Sequence, residues 1–322
     1  MSKIIIGVHG LGNKPPEKLL RKWWLKAIHE GLKKAGHDRM FLNFELVYWA
    51  DITHEAPLNP NEKDTGHELY IGEPYTPSQK AIEEKPSNIR KKILDFVENE
   101  LDKIFLNDDM TVNFSFVTDL IIRHFFKELG DYYATKKEEK NLTHNSIKDA
   151  ERKRMADVLK KHKDKEILLI AHSMGSIIAY DVLAENVADI EIDTFVTMGS
   201  PLGIPAVMGK IAAEQKKTFG EDKSVRTPEN VVRNWYNLSD LEDKIAFNYN
   251  LGDDYMENSH NIRAIDKSVI NDYKINGKEN HHKIYGYLRT PEMADIIHGF
   301  LNHGRNGLII RISDLISRLF IR

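Results

Sequence analysis

The sequence predicts an α/β fold built on a doubly wound, mostly parallel sheet, and two observations carry that expectation. Short apolar or β-branched runs bounded by turn residues occur at about 3–8, 42–49, 166–171, 191–198 and 231–238. Segments of helical spacing lie between them, as with Leu19, Trp23, Ala27 and Ile28 after the first run and Ile177, Ile178, Tyr180, Val182 and Leu183 after the third. Strand alternating with helix requires parallel pairing, because each crossover returns the chain to the same end of the sheet. The runs at 3–8 and 166–171 are almost unbroken apolar sequence, the pattern of strands covered by helices on both faces.

The 322 residues read as one domain, 1–322, carrying an insertion at 51–131 that fits the alternation badly. Its first half, through Pro57, Pro60, Gly66, Gly72, Pro74, Pro77 and Pro86, predicts an irregular loop. Its second half predicts helices, with one stripe from Ile89 through Ile93, Phe96, Val97, Leu101, Ile104 and Phe105, and another from Phe114 through Leu129. These helices either cover the sheet or cap an active site. The charged segment from Ser146 to Lys161 reads as a helix with a solvated face and a basic last turn. The tail from Gly307 to Arg322 gathers Leu308, Ile312, Leu315, Ile316 and Leu319 on one helical face. Packing on its own domain is the expectation for that tail, with contact at a membrane surface the minor alternative.

Composition removes several function classes. Forty-six basic against 49 acidic residues give a net charge of −3, which offers no field to attract nucleic acid. The absence of cysteine excludes disulfides, thiolate zinc sites, iron–sulfur clusters and cysteine nucleophiles. No apolar run approaches the roughly 18 residues of a membrane span. The run Ile4–Val8 passes directly into His9-Gly10-Leu11-Gly12 without a charged leader or cleavage site, so a cytoplasmic location is expected.

The chemistry concentrates in Ile170-Ala171-His172-Ser173-Met174-Gly175-Ser176, between a predicted buried strand and a predicted helix. A nucleophile elbow needs this context: the turn is so tight that the central residue is strained, and positions two before and two after must be small. Ala171 and Gly175 meet that rule. Here the chain resembles the α/β-hydrolase superfamily, its lipase and esterase members in particular, with Ala171 in place of the commoner glycine. The resemblance implies Ser173 as nucleophile. It further implies an oxyanion hole from the backbone N–H groups of Leu11, in the His9-Gly10-Leu11-Gly12 loop, and Met174, directly after the serine. That loop lacks the glycine spacing of a dinucleotide site and any Gly-Lys-Ser/Thr. His9 itself reads as structural.

A serine hydroxyl needs an imidazole oriented by a carboxylate. In the superfamily both follow the serine, acid first. The segment Ser239-Asp240-Leu241-Glu242-Asp243-Lys244-Ile245-Ala246 resembles the family's acid turn, with Asp243 preferred and Asp240 the alternative. Among the 14 histidines, His281-His282-Lys283-Ile284-Tyr285-Gly286-Tyr287-Leu288 resembles the family's histidine segment in a register that falls on His282, with His281 the alternative. The adjacent pair also admits a minor metal-binding reading with Asp253 or Asp254. Thr197 to Gly203 contains a Gly-Ser-Pro loop expected to shape a turn near the site, with no nucleophilic role for Ser200.

The resemblance implies a serine hydrolase acting on a small-molecule or lipid-like carboxylic ester through an acyl-enzyme, with no metal and no organic cofactor. Thioesterase, amidase or acyltransferase chemistry would use the same residues. A catalytically idle binding protein on the same fold is the remaining alternative. Oligomeric state is not legible.

Overall fold

A computed structural model of the chain describes residues 2–38, 41–78, 105–106, 112–113, 129–130, 132, 144–185, 187, 189–219, 225–246 and 249–304. In chain order the elements are β1 (Lys3–Val8), α1 (Glu17–Lys34), β2 (Phe44–Val47), α2 (Ala50–Thr53), β3 (Phe105–Leu106), β4 (Val112–Asn113), α3 (His144–Lys161), β5 (Glu166–His172), α4 (Met174–Glu185), β6 (Ile192–Met198), a 3₁₀ turn (Pro201–Gly203), α5 (Pro205–Phe219), β7 (Val231–Asp240), α6 (Leu251–Asp254), β8 (Ala264–Val269), β9 (Lys274–Ile275), β10 (Lys278–Glu279), α7 (Ile284–Leu288) and α8 (Pro291–Asn302).

Six strands form one sheet in the order β2-β1-β5-β6-β7-β8, and every pairing in it is parallel. The protein therefore has the doubly wound α/β architecture. Successive side chains along a strand point to opposite faces, and β1 shows the consequence: Ile4, Ile6 and Val8 join one core layer while Ile5 joins the other. The first layer is closed by α3, α4 and α5, through Met155, Leu159, Ile177, Ile178 and Val207. The second is closed by α1, α7 and α8, through Leu20, Trp24, Ile28, Tyr287 and Ile297. Helix α1 carries Glu17 in its first turn and Lys33 and Lys34 in its last, matching the helix dipole. It ends at Gly36 with φ +73°, where His37 N–H donates to Leu32 O at 2.8 Å.

After β1 the chain moves outward to β2, and β5 returns on the opposite side of β1. That reversal opens a crevice beyond the carboxyl ends of β1 and β5, the place where open α/β sheets hold their ligands. The register Val8↔Ala171 sets the loop after β1 beside the turn after β5.

Three expectations need correction. Ala264–Val269 is an edge strand that sequence patterning missed, because Ile265 is exposed and Asp266, Lys267 and Ser268 break any apolar run. Phe105, assigned to a helical stripe, lies in the β3–β4 pair. The charged helix α3 is not solvated all round: Lys148 and Glu151 are buried. Arg152 bonds Asp181 and, at 3.0 and 3.1 Å, Glu185 and Glu214. Charge alone does not expose a helix face when a complementary charge stands opposite. From His54 to Ser78 the chain has no helix or strand, in keeping with the loop reading. Leu129, the last residue of the second predicted stripe, is helical and buried in the first core layer; the other stripe residues and the amphipathic tail lie outside the described residues. Among the described residues no helix is long and apolar enough to cross a membrane.

Candidate active site

Ser173 sits between the end of β5 and the start of α4, with φ +53°. A non-glycine residue in this region costs on the order of 1–3 kcal/mol and persists only where its surroundings over-determine it. Here Ser173 N–H donates to Met198 O at 3.0 Å, and Ser176 N–H donates to Ser173 O at 2.8 Å. The Ser176 hydroxyl bonds the same carbonyl at 2.5 Å. The need for a small residue at 175 is steric, since a Cβ there would stand 2.5 Å from His9 O. Gly10 is equally constrained: a Cβ would lie 2.8 Å from Ser173 Cβ.

The structure brings Ser173, His282 and Asp243 together from three loops at the carboxyl end of the sheet. His282 Nε2 is 3.0 Å from Ser173 Oγ, and His282 Nδ1 is 2.9 Å from Asp243 Oδ2. Because a carboxylate only accepts, Nδ1 donates to Asp243, and Nε2 faces the Ser173 hydroxyl. Asp243 also accepts from Tyr287 OH at 2.7 Å and Ile245 N–H at 2.9 Å. Burial pushes its carboxyl up, but His282, Tyr287 and Ile245 outweigh that and hold it below the usual carboxylate range. Burial, with Asp243 and Asp240 nearby, pushes the Tyr287 phenol well up, so it remains a donor. Ser173 and Asp243 are buried whereas the His282 side chain is 23% exposed, so the imidazole faces the crevice.

The alternatives from sequence pair with each other instead. Asp240 accepts from Glu242 N–H at 2.8 Å and Asn271 N–H at 2.6 Å, and it lies 3.4 Å from His281. His281 Nε2 is 2.7 Å from Glu242 and 3.3 Å from Glu279. Glu242, Glu279 and His281 have ligand types that suit a divalent cation, and their ligand atoms lie within 4.8 Å of one another. Asp253 and Asp254 are not part of that group, which corrects the metal reading.

The loop after β1 is held by His9. Its ring is buried and stacked on Trp49 at 4.6 Å between centroids. Nε2 accepts from Trp49 N–H at 3.0 Å, and Nδ1–H donates to Gly10 O at 2.8 Å. Burial, and then Lys14, push its pKa well down, so it stays neutral. In a trans peptide the N–H points opposite to the C=O. Fixing the Gly10 carbonyl therefore fixes the direction of the Leu11 N–H. Lys14 bonds the carbonyls of Leu11 and Gly12 and holds the next peptide too. Met174 opens α4, where the first N–H groups have no intrahelical acceptor.

A cavity of about 210 Å³ contains Ser173, His282, His172 and Leu11, with Trp24, Ile284 and Tyr285 as apolar wall and Lys14, Glu73 and Lys283 among its charged lining. A second, of about 290 Å³, adjoins Leu11 and Met174 and is walled by Trp49, Ile52, Tyr132 and Ile147.

Several site residues escaped sequence reasoning. Gly199 has φ +52°, and a Cβ there would stand 2.8 Å from Asp243 Oδ2 and 3.1 Å from His282 Nδ1. Asn271 Nδ2 donates to the carbonyls of His281 and Lys283, both at 2.8 Å, and fills the space above Gly286 so closely that a Cβ would fall 1.6 Å from its Oδ1. Asn280 Oδ1 accepts from His282 N–H at 3.1 Å. Glu73, from the irregular loop, pairs with Lys283 at 2.8 Å. Tyr287 and Gly286 stood inside the resembling segment, and Gly199 inside the Gly-Ser-Pro loop. Asn271, Asn280 and Glu73 carried no signal.

The parallel sheet and the strained serine turn at its switch point give the α/β-hydrolase architecture, and at a coarse level the chain is similar to lipase-like hydrolases. Residues 150–218 match the lecithin:cholesterol acyltransferase family model. The matched stretch runs from within α3 through β5, Ser173, α4, β6 and the Gly-Ser-Pro loop into α5. No curated protein matches the chain significantly.

Proposed function

We propose that the protein is a serine hydrolase of carboxylic esters, with Ser173 as nucleophile, His282 as general base and then acid, and Asp243 as the carboxylate that orients it. The observation that carries this reading is the 3.0 Å approach of His282 Nε2 to Ser173 Oγ with Nδ1 held by Asp243. Ser173 Oγ attacks the ester carbonyl as its proton passes to His282 Nε2, and the new imidazolium is stabilised by the Asp243 carboxylate. The carbonyl oxygen takes the negative charge, and the N–H groups of Leu11 and Met174 donate to it. Collapse breaks the bond to the alcohol oxygen, which leaves with the proton from Nε2. Water, deprotonated by the same nitrogen, then cleaves the acyl-enzyme and returns Ser173 to its starting state.

The apolar walls of both cavities support an apolar, lipid-like substrate. The similarity of residues 150–218 to an acyltransferase family favours a second reading, in which an alcohol replaces water in the second half-reaction. Ser173→Ala should lower turnover of short p-nitrophenyl esters at least about 10³-fold while the protein remains folded. A fluorophosphonate should label the native protein at Ser173. Undiminished turnover in the variant would overturn the mechanism, and a folded native protein that neither turns over esters nor takes the label would favour an idle binding protein. Product analysis with added alcohol, thioester and amide panels separates hydrolysis from transfer and ester from its congeners.

A further inference from the structure

His172, the residue before the nucleophile, plays no part in the chemistry above, yet it lies against both the His282 loop and the loop after β1. It ends β5 and is covalently joined to Ser173. Its Nε2 lies 2.8 Å from the main-chain carbonyl of His282. Its Nδ1 edge faces the oxyanion loop, where a Cβ on Gly10 would come within 3.1 Å of it. The rings of His172 and His282 stand 4.8 Å apart, and the Tyr287 ring lies 6.1 Å from that of His172.

We propose, building on the hydrolase reading, that His172 is a positioning residue that ties the base loop to the nucleophile turn through its neutral Nε2–H tautomer. A carbonyl oxygen only accepts, so the proton of that bond belongs to Nε2. Among the described residues, the ring shares its cavity with His282, Lys14 and Lys283 and with the Glu73 carboxylate, which is paired to Lys283 at 2.8 Å. Burial first, and then the charges of His282, Lys14 and Lys283, push its pKa well down. Neutrality has a purpose here: His282 becomes an imidazolium during each half-reaction, and a second cation at this distance would oppose it. Other bonds hold the base loop from outside, from Asn280 to His282 N–H and from Asn271 to the carbonyls of His281 and Lys283. The bond from His172 reaches the His282 carbonyl from the end of β5, and so helps set the distance over which the proton moves. A displacement of about 1 Å at such a contact can cost about 100-fold in rate.

The test compares His172→Phe, which keeps a ring and loses the donor, with His172→Gln, whose amide nitrogen can reach the same carbonyl. The readouts are kcat and KM for a p-nitrophenyl ester, the rate of fluorophosphonate labelling, the pH profile of kcat, and Tm. His172→Phe should lower kcat and labelling rate together by about 10- to 100-fold with KM within about threefold. His172→Gln should recover a substantial part of that loss, and both variants should keep the shape of the wild-type pH profile, since burial holds His172 neutral well below the ordinary imidazole range. Should the phenylalanine variant fail to fold, His172→Asn replaces it; its shorter amide falls short of the carbonyl and should remain below Gln. Full activity in His172→Phe, losses that track Tm alone with Gln no better than Phe, or disappearance of a titration limb would overturn the proposal. Those results leave the hydrolase reading standing if the wild type is labelled at Ser173, whereas a wild type that takes no label sinks that reading first.

Discussion

Two aspartates are buried equally deeply in this protein, and the fold treats their charges in opposite ways. Asp243, in the loop after β7, is held below the usual carboxylate range, because His282, Tyr287 and Ile245 together outweigh its burial. Asp181, on α4 after Ser173, is raised by burial in spite of Arg152 and Lys148. The difference lies in company. Every group that Asp243 meets donates to it, while Asp181 shares Arg152 with Glu185 and Glu214, and Lys148 with Glu214. Depth of burial alone does not set a charge; the balance of donors and rival acids does.

The contrast is broken most sharply in catalysis. Asp243→Asn should lower kcat for ester hydrolysis by about 10³- to 10⁴-fold, because the imidazole loses its orienting charge. Asp181→Asn should leave kcat within about twofold; a comparable collapse there would mean that the two carboxylates are functionally linked. Gly199→Ala should follow, with kcat down about 10- to 100-fold. It adds a Cβ 2.8 Å from Asp243 Oδ2 at a residue with φ +52°, so both the orienting pair and the turn are disturbed. Unchanged activity in that variant would show that the loop yields without moving Asp243.

The smaller effects are in stability, measured by denaturant unfolding. Near neutral pH Asp243→Asn should cost about 1–3 kcal/mol through lost charge-assisted hydrogen bonds. Asp181→Asn should be neutral or mildly stabilising, since Arg152 and Lys148 keep Glu185 and Glu214 and the carboxyl is better tolerated uncharged. The signs then fix the pH dependence. Folded Asp243 holds its proton less tightly than the unfolded chain, so its contribution is complete above the ordinary carboxylate range and is lost as pH falls through its lowered value. Folded Asp181 holds its proton more tightly, so acidification through the window between its unfolded and raised values favours the fold. On acidification the Asp243 variant should therefore close on wild type from below and the Asp181 variant from above. Parallel curves would contradict both assignments.

The same pair shows what reads from sequence and what does not. Asp243 stands in a turn after an apolar strand, at a spacing from Ile245 and Ala246 that resembles a known segment. Asp181 looks like one polar residue in an apolar helix, and its partners are Lys148 and Arg152 on α3 and the hydroxyl of Tyr132, all tens of residues away in the chain. Strand β8 escaped because an edge strand faces water and keeps no apolar run, whereas β1 and β5 were plain because both faces are covered. His172 was legible as a residue of the serine turn, but its bond to the His282 carbonyl joins positions that only the folded chain brings near.

By itself the sequence determined the strand and helix alternation, the small residues that let a serine turn close, and the order in which Ser173, Asp243 and His282 follow one another. These are local matters, set by periodicity, backbone sterics and turn chemistry within a few residues. The tertiary structure decided which aspartate meets which histidine, giving Asp243 to His282 and Asp240 to His281. It also decided the tautomers of His9 and His172 and the charge balance around Asp181. Those depend on hydrogen bonds a few ångströms long between segments tens to hundreds of residues apart, and no pattern along the chain encodes such distances.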